Sequence, residues 1–180
     1  MSITPRSPSP RAFSLIELLC AIAIIVLLGA LLAPSLDAIR TRAESASCAS
    51  HLQQIGLAMV QKVQDNNNTY PKVESDPTNP VYPPEAGAES LAIILKPYGI
   101  TERTLRCATD ARTTHYFSRI GTSYEWFPLV DGELSAAPNL YLPSGTLSLP
   151  ISRIPMASDF SSVHLGRQNV LFADGHVKSL

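Results

Sequence analysis

The chain carries an apolar run, Phe13-Ser14-Leu15-Ile16-Glu17-Leu18-Leu19-Cys20-Ala21-Ile22-Ala23-Ile24-Ile25-Val26-Leu27-Leu28-Gly29-Ala30-Leu31-Leu32-Ala33, broken by one carboxylate, Glu17. Roughly 20 mostly apolar residues are enough for a helix to cross the hydrocarbon core of a bilayer. A carboxylate at the centre of such a segment costs about 2.5–3.5 kcal/mol on insertion scales. Glu17 sits near one end, so it either reaches the headgroups or meets a partner that offsets its charge.

The flanks orient the run. Residues 1–12 hold Arg6 and Arg11 and no acidic residue. Basic residues stay on the cytoplasmic side, so the N-terminus is expected in the cytoplasm and everything after Pro34 beyond the inner membrane. A secretory signal fits less well, because its apolar stretch is about 7–15 residues and ends in small residues at a cut. Here the run is longer, and Pro34 directly follows the best small-residue site, Ala33. A lipoprotein signal would need a small residue before its cysteine, whereas Cys20 follows Leu18-Leu19 in mid-run.

The order Arg11-Ala12-Phe13-Ser14-Leu15-Ile16-Glu17-Leu18-Leu19 resembles the N-terminus of the prepilin family, the type IV pilins and type II secretion pseudopilins. In that family a basic leader ends at a small residue, usually glycine. An aromatic and a Ser/Thr-Leu-Ile-Glu-Leu run follow. Ala12 replaces the glycine, and Pro34 falls where pilins often carry a proline. The resemblance implies cleavage between Ala12 and Phe13 by a prepilin peptidase, which also methylates the new amine of Phe13. In a filament, Glu17 of one subunit would then meet the Phe13 amine of a neighbour.

Beyond the run, an apolar stripe continues at three- and four-residue steps through Leu36, Ile39, Ala43, Ala46, Ala49, Leu52, Ile55, Met59 and Val63. That spacing predicts one continuous helix from Ser14 to about Gln64, roughly 75 Å long at 1.5 Å per residue. Gly56 costs about 1 kcal/mol against alanine in a helix and points to close packing with the head. Asp65-Asn66-Asn67-Asn68 is a stop and turn signal. Pro71, Pro77, Pro80, Pro83 and Pro84 predict a surface loop. A short helix is expected over Glu89–Leu95, ended by Pro97 and Gly99. Thr114–Phe117, Thr122–Val130, Glu133–Ala136 and Ser152–Ala157 read as strands. Asn169–Ala173 and His176–Leu180 flank Asp174-Gly175, predicting a hairpin with a type I′ turn.

With 180 residues and a net charge of −1, the chain suits one modest domain with extensions, and no basic face suggests nucleic acid. Of three cysteines, Cys20 lies in the apolar run, where it acts as a small apolar residue. Cys48 and Cys107 would share an oxidising space. They either form a disulfide stapling the helix to the head or remain two buried thiols. A disulfide closing so long a loop stabilises by about 4 kcal/mol in the chain-entropy model.

Ser47-Cys48-Ala49-Ser50-His51-Leu52-Gln53-Gln54-Ile55-Gly56, Leu105-Arg106-Cys107 and the ending from His164 to Val177 extend the resemblance to prepilin-type proteins with a major-pseudopilin-like head. The implied fold is α+β, a long N-terminal helix packed on a small antiparallel sheet. The parts are a leader (1–12), a membrane or filament-core segment (13–33), an amphipathic continuation (34–64) and a periplasmic or extracellular head (65–180). The implied function is structural, as a subunit of a type II secretion pseudopilus or type IV pilus-like filament. Its partners would be other pilins, the prepilin peptidase, an inner-membrane assembly platform and the membrane itself.

Other chemistries were weighed against this reading. Asp159, His164, Asp174 and His176 are candidate metal ligands, and related pseudopilins bind calcium near the C-terminus. Calcium, however, takes six to eight oxygens, and imidazole suits zinc better. Asp174 is already explained by the turn, so no metal or other cofactor is assigned. Ser161 and Ser162 near His164 lack the Gly-x-Ser-x-Gly context of a hydrolase, and no enzymatic activity is expected. The alternatives are a membrane-anchored binding protein that never polymerises and a surface metalloenzyme depending on His164.

Overall fold

In the computed structural model, residues 14–74, 88–110, 112–135, 138–142, 145–160, 164 and 166–180 are described, with side chains at all but 31–35, 139–142 and 145–148. The leader, Phe13, Ala136, Ser161, Ser162 and all of the proline-rich loop's prolines except Pro71 lie outside them, as does the side chain of Pro34. The chain divides between Arg40 and Thr41 into two compact units. One helix, α1 (Leu15–Asp65), contributes to both.

In the first unit, large apolar side chains of α1 are exposed, among them Leu15, Ile24 and Val26 at 76%, 60% and 70%. Among the described residues no helix is long and apolar enough to cross a membrane. Side chains of the apolar run are described only from Ser14 to Ala30, short of the roughly 20 residues a bilayer core requires.

The second unit is an α+β head built on the outer part of α1. Its four-stranded antiparallel sheet has the order β1-β4-β5-β6. The strands are β1 (Tyr124–Trp126), β4 (Pro155–Asp159), β5 (Asn169–Phe172) and β6 (Val177–Ser179). A separate hairpin pairs β2 (Asn139–Leu142) with β3 (Gly145–Ser148). Leu52, Ile55 and Met59 of α1 share one core with Trp126, Ile154, Met156 and Leu171. Gly56 explains how closely the helix approaches: a Cβ there would lie 2.9 Å from Leu171 Cδ1. The helix ends at Asp65, and Asn67 and Asn68 take left-handed φ of 55° and 57°, a conformation Asn tolerates better than most residues.

Several expectations are corrected. The apolar stripe is buried at Leu52, Ile55, Met59 and Val63, but Leu36, Ile39, Ala43 and Ala46 are exposed. Periodicity marks a face without saying what covers it. Thr114–Phe117 forms a turn and the start of helix α4 (Tyr116–Ile120) rather than a strand. The cause is Asp110, whose carboxylate accepts the amides of Tyr116 at 2.8 Å and Phe117 at 2.9 Å. Within Thr122–Val130 only β1 is a strand, because Asp131 draws the chain away. It accepts from Trp126 Nε1–H and from the Val73 amide, both at 2.9 Å. Ser152–Ala157 divides into a 3-10 turn, Ile151–Arg153, and the start of β4. In the expected partner segment, Leu134 makes only an isolated bridge to Thr69.

The C-terminal hairpin forms, but its turn is not type I′. Only Gly175 has a positive φ, 87°. Gly175 N–H donates to Phe172 O and Phe172 N–H donates to His176 O, each at 2.9 Å. This is a right-handed turn followed by a glycine bulge. Asp174 supports it by accepting the His176 amide at 3.2 Å, a side-chain-to-backbone turn typical of Asp.

The short helix α2 covers Leu91–Leu95 and passes into a 3-10 turn, Lys96–Tyr98, closed by Gly99 at φ 82°. Helix α3 (Glu102–Leu105) follows and delivers Cys107 beneath α1.

Candidate functional site

At the start of α1, Ser14 N–H donates to Glu17 Oε2 at 3.0 Å. Ser14-Leu15-Ile16-Glu17 thus forms half of a capping box, in which the third helical residue reaches back to the residue that opens the helix. The positive end of the helix dipole favours a carboxylate there. Glu17 therefore has a local partner in its own chain and stands beside the position where cleavage would create an amine. Ala12 and Phe13, the residues expected to flank the cut, are outside the described residues.

The head contains a buried polar cluster where α1, the segment after α3 and β4–β5 converge. Cys48 of α1 and Cys107 are joined in a disulfide, with α-carbons 5.6 Å apart. His164 lies against it, Nε2 at 3.6 Å from Cys107 Sγ and 3.4 Å from Asp159 Oδ2. All four side chains are almost wholly buried. A tight turn fixes the His164 backbone, which exchanges two hydrogen bonds with Arg167 around Gly166 at φ 78°.

The surrounding hydrogen bonds set the imidazole tautomer. Thr109 Oγ1 lies 3.0 Å from Glu44 Oε2 and 3.3 Å from His164 Nδ1. A hydroxyl has one proton and a carboxylate only accepts. Thr109 therefore donates to Glu44 and accepts from Nδ1–H of His164. Glu44 is held in turn by Arg112. Asp159 Oδ2 accepts from the Asn169 amide at 3.0 Å and from Asn169 Nδ2 at 2.9 Å. The same Nδ2 lies 3.2 Å from Ser45 O, tying β5 to α1. Asp159 Oδ1 is buried with no hydrogen-bond partner among the described residues.

Two neighbours of the cluster have displaced proton affinities. Burial would raise the Asp110 pKa. Bonds from the Ser123 and Thr114 hydroxyls and from the Phe117 and Tyr116 amides outweigh it and hold the carboxyl below its usual value. His51, whose Nδ1 is 3.2 Å from Tyr124 OH, is lowered chiefly by burial. A backbone bond to Arg106 opposes that shift, and the Arg103 charge adds to it.

The four metal candidates of the sequence are gathered as two pairs. Asp159 meets His164 in the buried cluster. Asp174 contacts His176 in the hairpin, where the imidazole also stacks on Phe172 with centroids 4.4 Å apart. The donor atoms that lie within 4.8 Å of one another among the described residues are those of Cys48, Cys107 and His164. Sequence reading missed Thr109, Glu44 and Asn169, since common polar residues far apart in the chain carry no spacing signal. Only Cys107-Ala108-Thr109-Asp110 hinted that a polar group follows the cysteine.

No curated protein and no solved structure matches the chain. Residues 8–33 match the family model of the prokaryotic N-terminal methylation motif. That motif implies processing by a prepilin peptidase and pilin-type assembly. The match makes the N-terminal segment prepilin-like, and the helix-on-sheet head is consistent with an α+β pilin fold.

Proposed function

We propose that this protein is a structural filament subunit, not an enzyme, of a type II secretion pseudopilus or a type IV pilus-like fibre. The observation that carries this reading is the exposed apolar half of α1 next to a methylation motif. Leu15, Ile16, Leu18, Ile22, Ile25 and Val26 are exposed. Soluble monomers rarely leave contiguous apolar surface of this kind open. Before assembly the bilayer covers it, with the N-terminus cytoplasmic and the head beyond the inner membrane. After assembly the same helices of other subunits replace the lipid.

Cleavage between Ala12 and Phe13 would place a new amine on Phe13, directly before the Ser14–Glu17 cap. Glu17 is then close to its own chain's N-terminus and available to the methylated amine of an adjoining subunit. Opposite charges at one register would fix the axial step. The assembly platform and the peptidase are the partners this route requires.

Mass analysis of the mature N-terminus from the native host tests the processing step. The expected product begins at methylated Phe13. A chain that still begins at Met1 would instead support a membrane-anchored binding protein that does not polymerise.

A further inference from the structure

We propose that the dithiol form of the head is a zinc-type metal site, with Cys48 Sγ, Cys107 Sγ and His164 Nε2 as its three protein ligands. Disulfide and metal would be mutually exclusive ways of making one cross-link between α1 and the head. This proposal does not depend on the assembly role above.

Three observations converge on it. The two sulfurs and the imidazole already bring their donor atoms within 4.8 Å of one another in a buried setting. Two cysteines and a histidine form a donor set that zinc accepts in tetrahedral geometry with the fourth position left to solvent. The histidine is also prepared as a ligand. Its Nδ1–H is engaged by Thr109, itself donating to Glu44, so Nε2, on the side of the sulfurs, is the nitrogen left to coordinate. Ligating histidines commonly donate their other N–H in this way, which fixes ring orientation and raises basicity.

The neighbours of Nε2 supply the third observation. Both groups given for it, Cys107 sulfur and Asp159 Oδ2, are acceptors. Asp159 Oδ2 is oriented by Asn169, while Oδ1 is left without a partner among the described residues. A buried carboxyl oxygen without a hydrogen bond is costly. His164 also lines a cleft with Thr41, Arg42, Ser45, Arg167 and Ser179.

The chemistry balances as follows. Exchange with a dithiol reductant breaks the Cys48–Cys107 bond. Two electrons pass to the protein sulfurs, the reductant closes its own disulfide, and its two thiol protons arrive at Cys48 and Cys107. Zinc binding releases those protons to solvent as two Zn–S bonds form. At about 2.3 Å per Zn–S bond, tetrahedral geometry separates the sulfurs by about 3.8 Å, a side-chain adjustment that leaves the backbone in place.

The test uses the full chain in detergent, reduced with a phosphine without oxygen and titrated with Co²⁺ and then Zn²⁺. Reduced protein should bind one equivalent of Co²⁺ with a thiolate charge-transfer band and tetrahedral visible absorption, displaced by Zn²⁺. Oxidised protein should show neither band. Reduced His164→Ala should lose the tetrahedral spectrum, and Thr109→Val, which removes the acceptor for His164 Nδ1–H, should weaken binding about tenfold. The oxidised form of each variant keeps the cross-link and reports whether the head still folds. Failure of reduced wild-type protein to bind cobalt would overturn the proposal. So would a weak octahedral spectrum, or binding by reduced His164→Ala equal to wild type.

Discussion

Helix α1 is one continuous element with two different fates. Over Leu52–Val63 the apolar side chains on its head-facing side are sealed, with Leu52, Ile55 and Met59 at 0% exposure, while Leu57 on the other side stays open. Over Leu15–Leu28 residues of the same type stand open, most of them more than half exposed. Helix propensity is similar in both halves, so local sequence does not distinguish them. What differs is the partner. The outer half closes against Leu171, Met156 and Trp126 of its own chain, while the inner half, on the function proposed above, is covered by lipid or by other copies. Substitutions in the outer half should therefore cost folding stability, and those in the inner half should cost assembly.

The largest effect on folding should come from the cross-link. Cys48→Ser opens a bridge between positions 59 residues apart, which the chain-entropy model values at about 4 kcal/mol. Urea titration of oxidised wild type and variant reads this directly, and equal midpoints would show that the head does not use the bridge.

A matched pair of truncations sharpens the contrast. Ile55→Ala, fully buried, should lose about 2–5 kcal/mol by transfer and cavity terms. Ile24→Ala, 60% exposed, should change unfolding by no more than about 0.5 kcal/mol. Similar losses at both sites would break the division drawn here.

A smaller effect separates the outer half by pH. Burial lowers the folded pKa of His51 below 6.5, so the unfolded chain takes up the proton first. The stability linked to this group is fully present above pH 6.5 and is lost as pH falls toward the folded value. The difference in melting temperature between wild type and His51→Gln should be constant above pH 6.5 and shift against wild type as pH falls below it. Parallel curves across that window would contradict this.

The long helix, its end at Asp65 and the C-terminal hairpin were legible because they depend on local signals: periodicity, a run of Asn, and Asp-Gly. The strand assignments at Thr114–Phe117 and beyond Trp126 were not. There a single carboxylate, Asp110 or Asp131, redirects the backbone through hydrogen bonds to residues placed by the tertiary fold. The β2–β3 hairpin escaped because Pro143-Ser144-Gly145 lies between short segments without strict alternation. The buried cluster was half legible. Cysteines and histidines draw attention by type, whereas Thr109 and Glu44 gain meaning only when α1 is laid beside the segment after α3.

The central claim is that the inner half of α1 is completed by other subunits, in a register set by Glu17. Imaging filaments from a native host that carries only Glu17→Ala tests this directly, with the melting temperature of the head as the folding control. The account predicts that filaments disappear while the head melts as in wild type. Abundant filaments of normal axial repeat from the variant would contradict it.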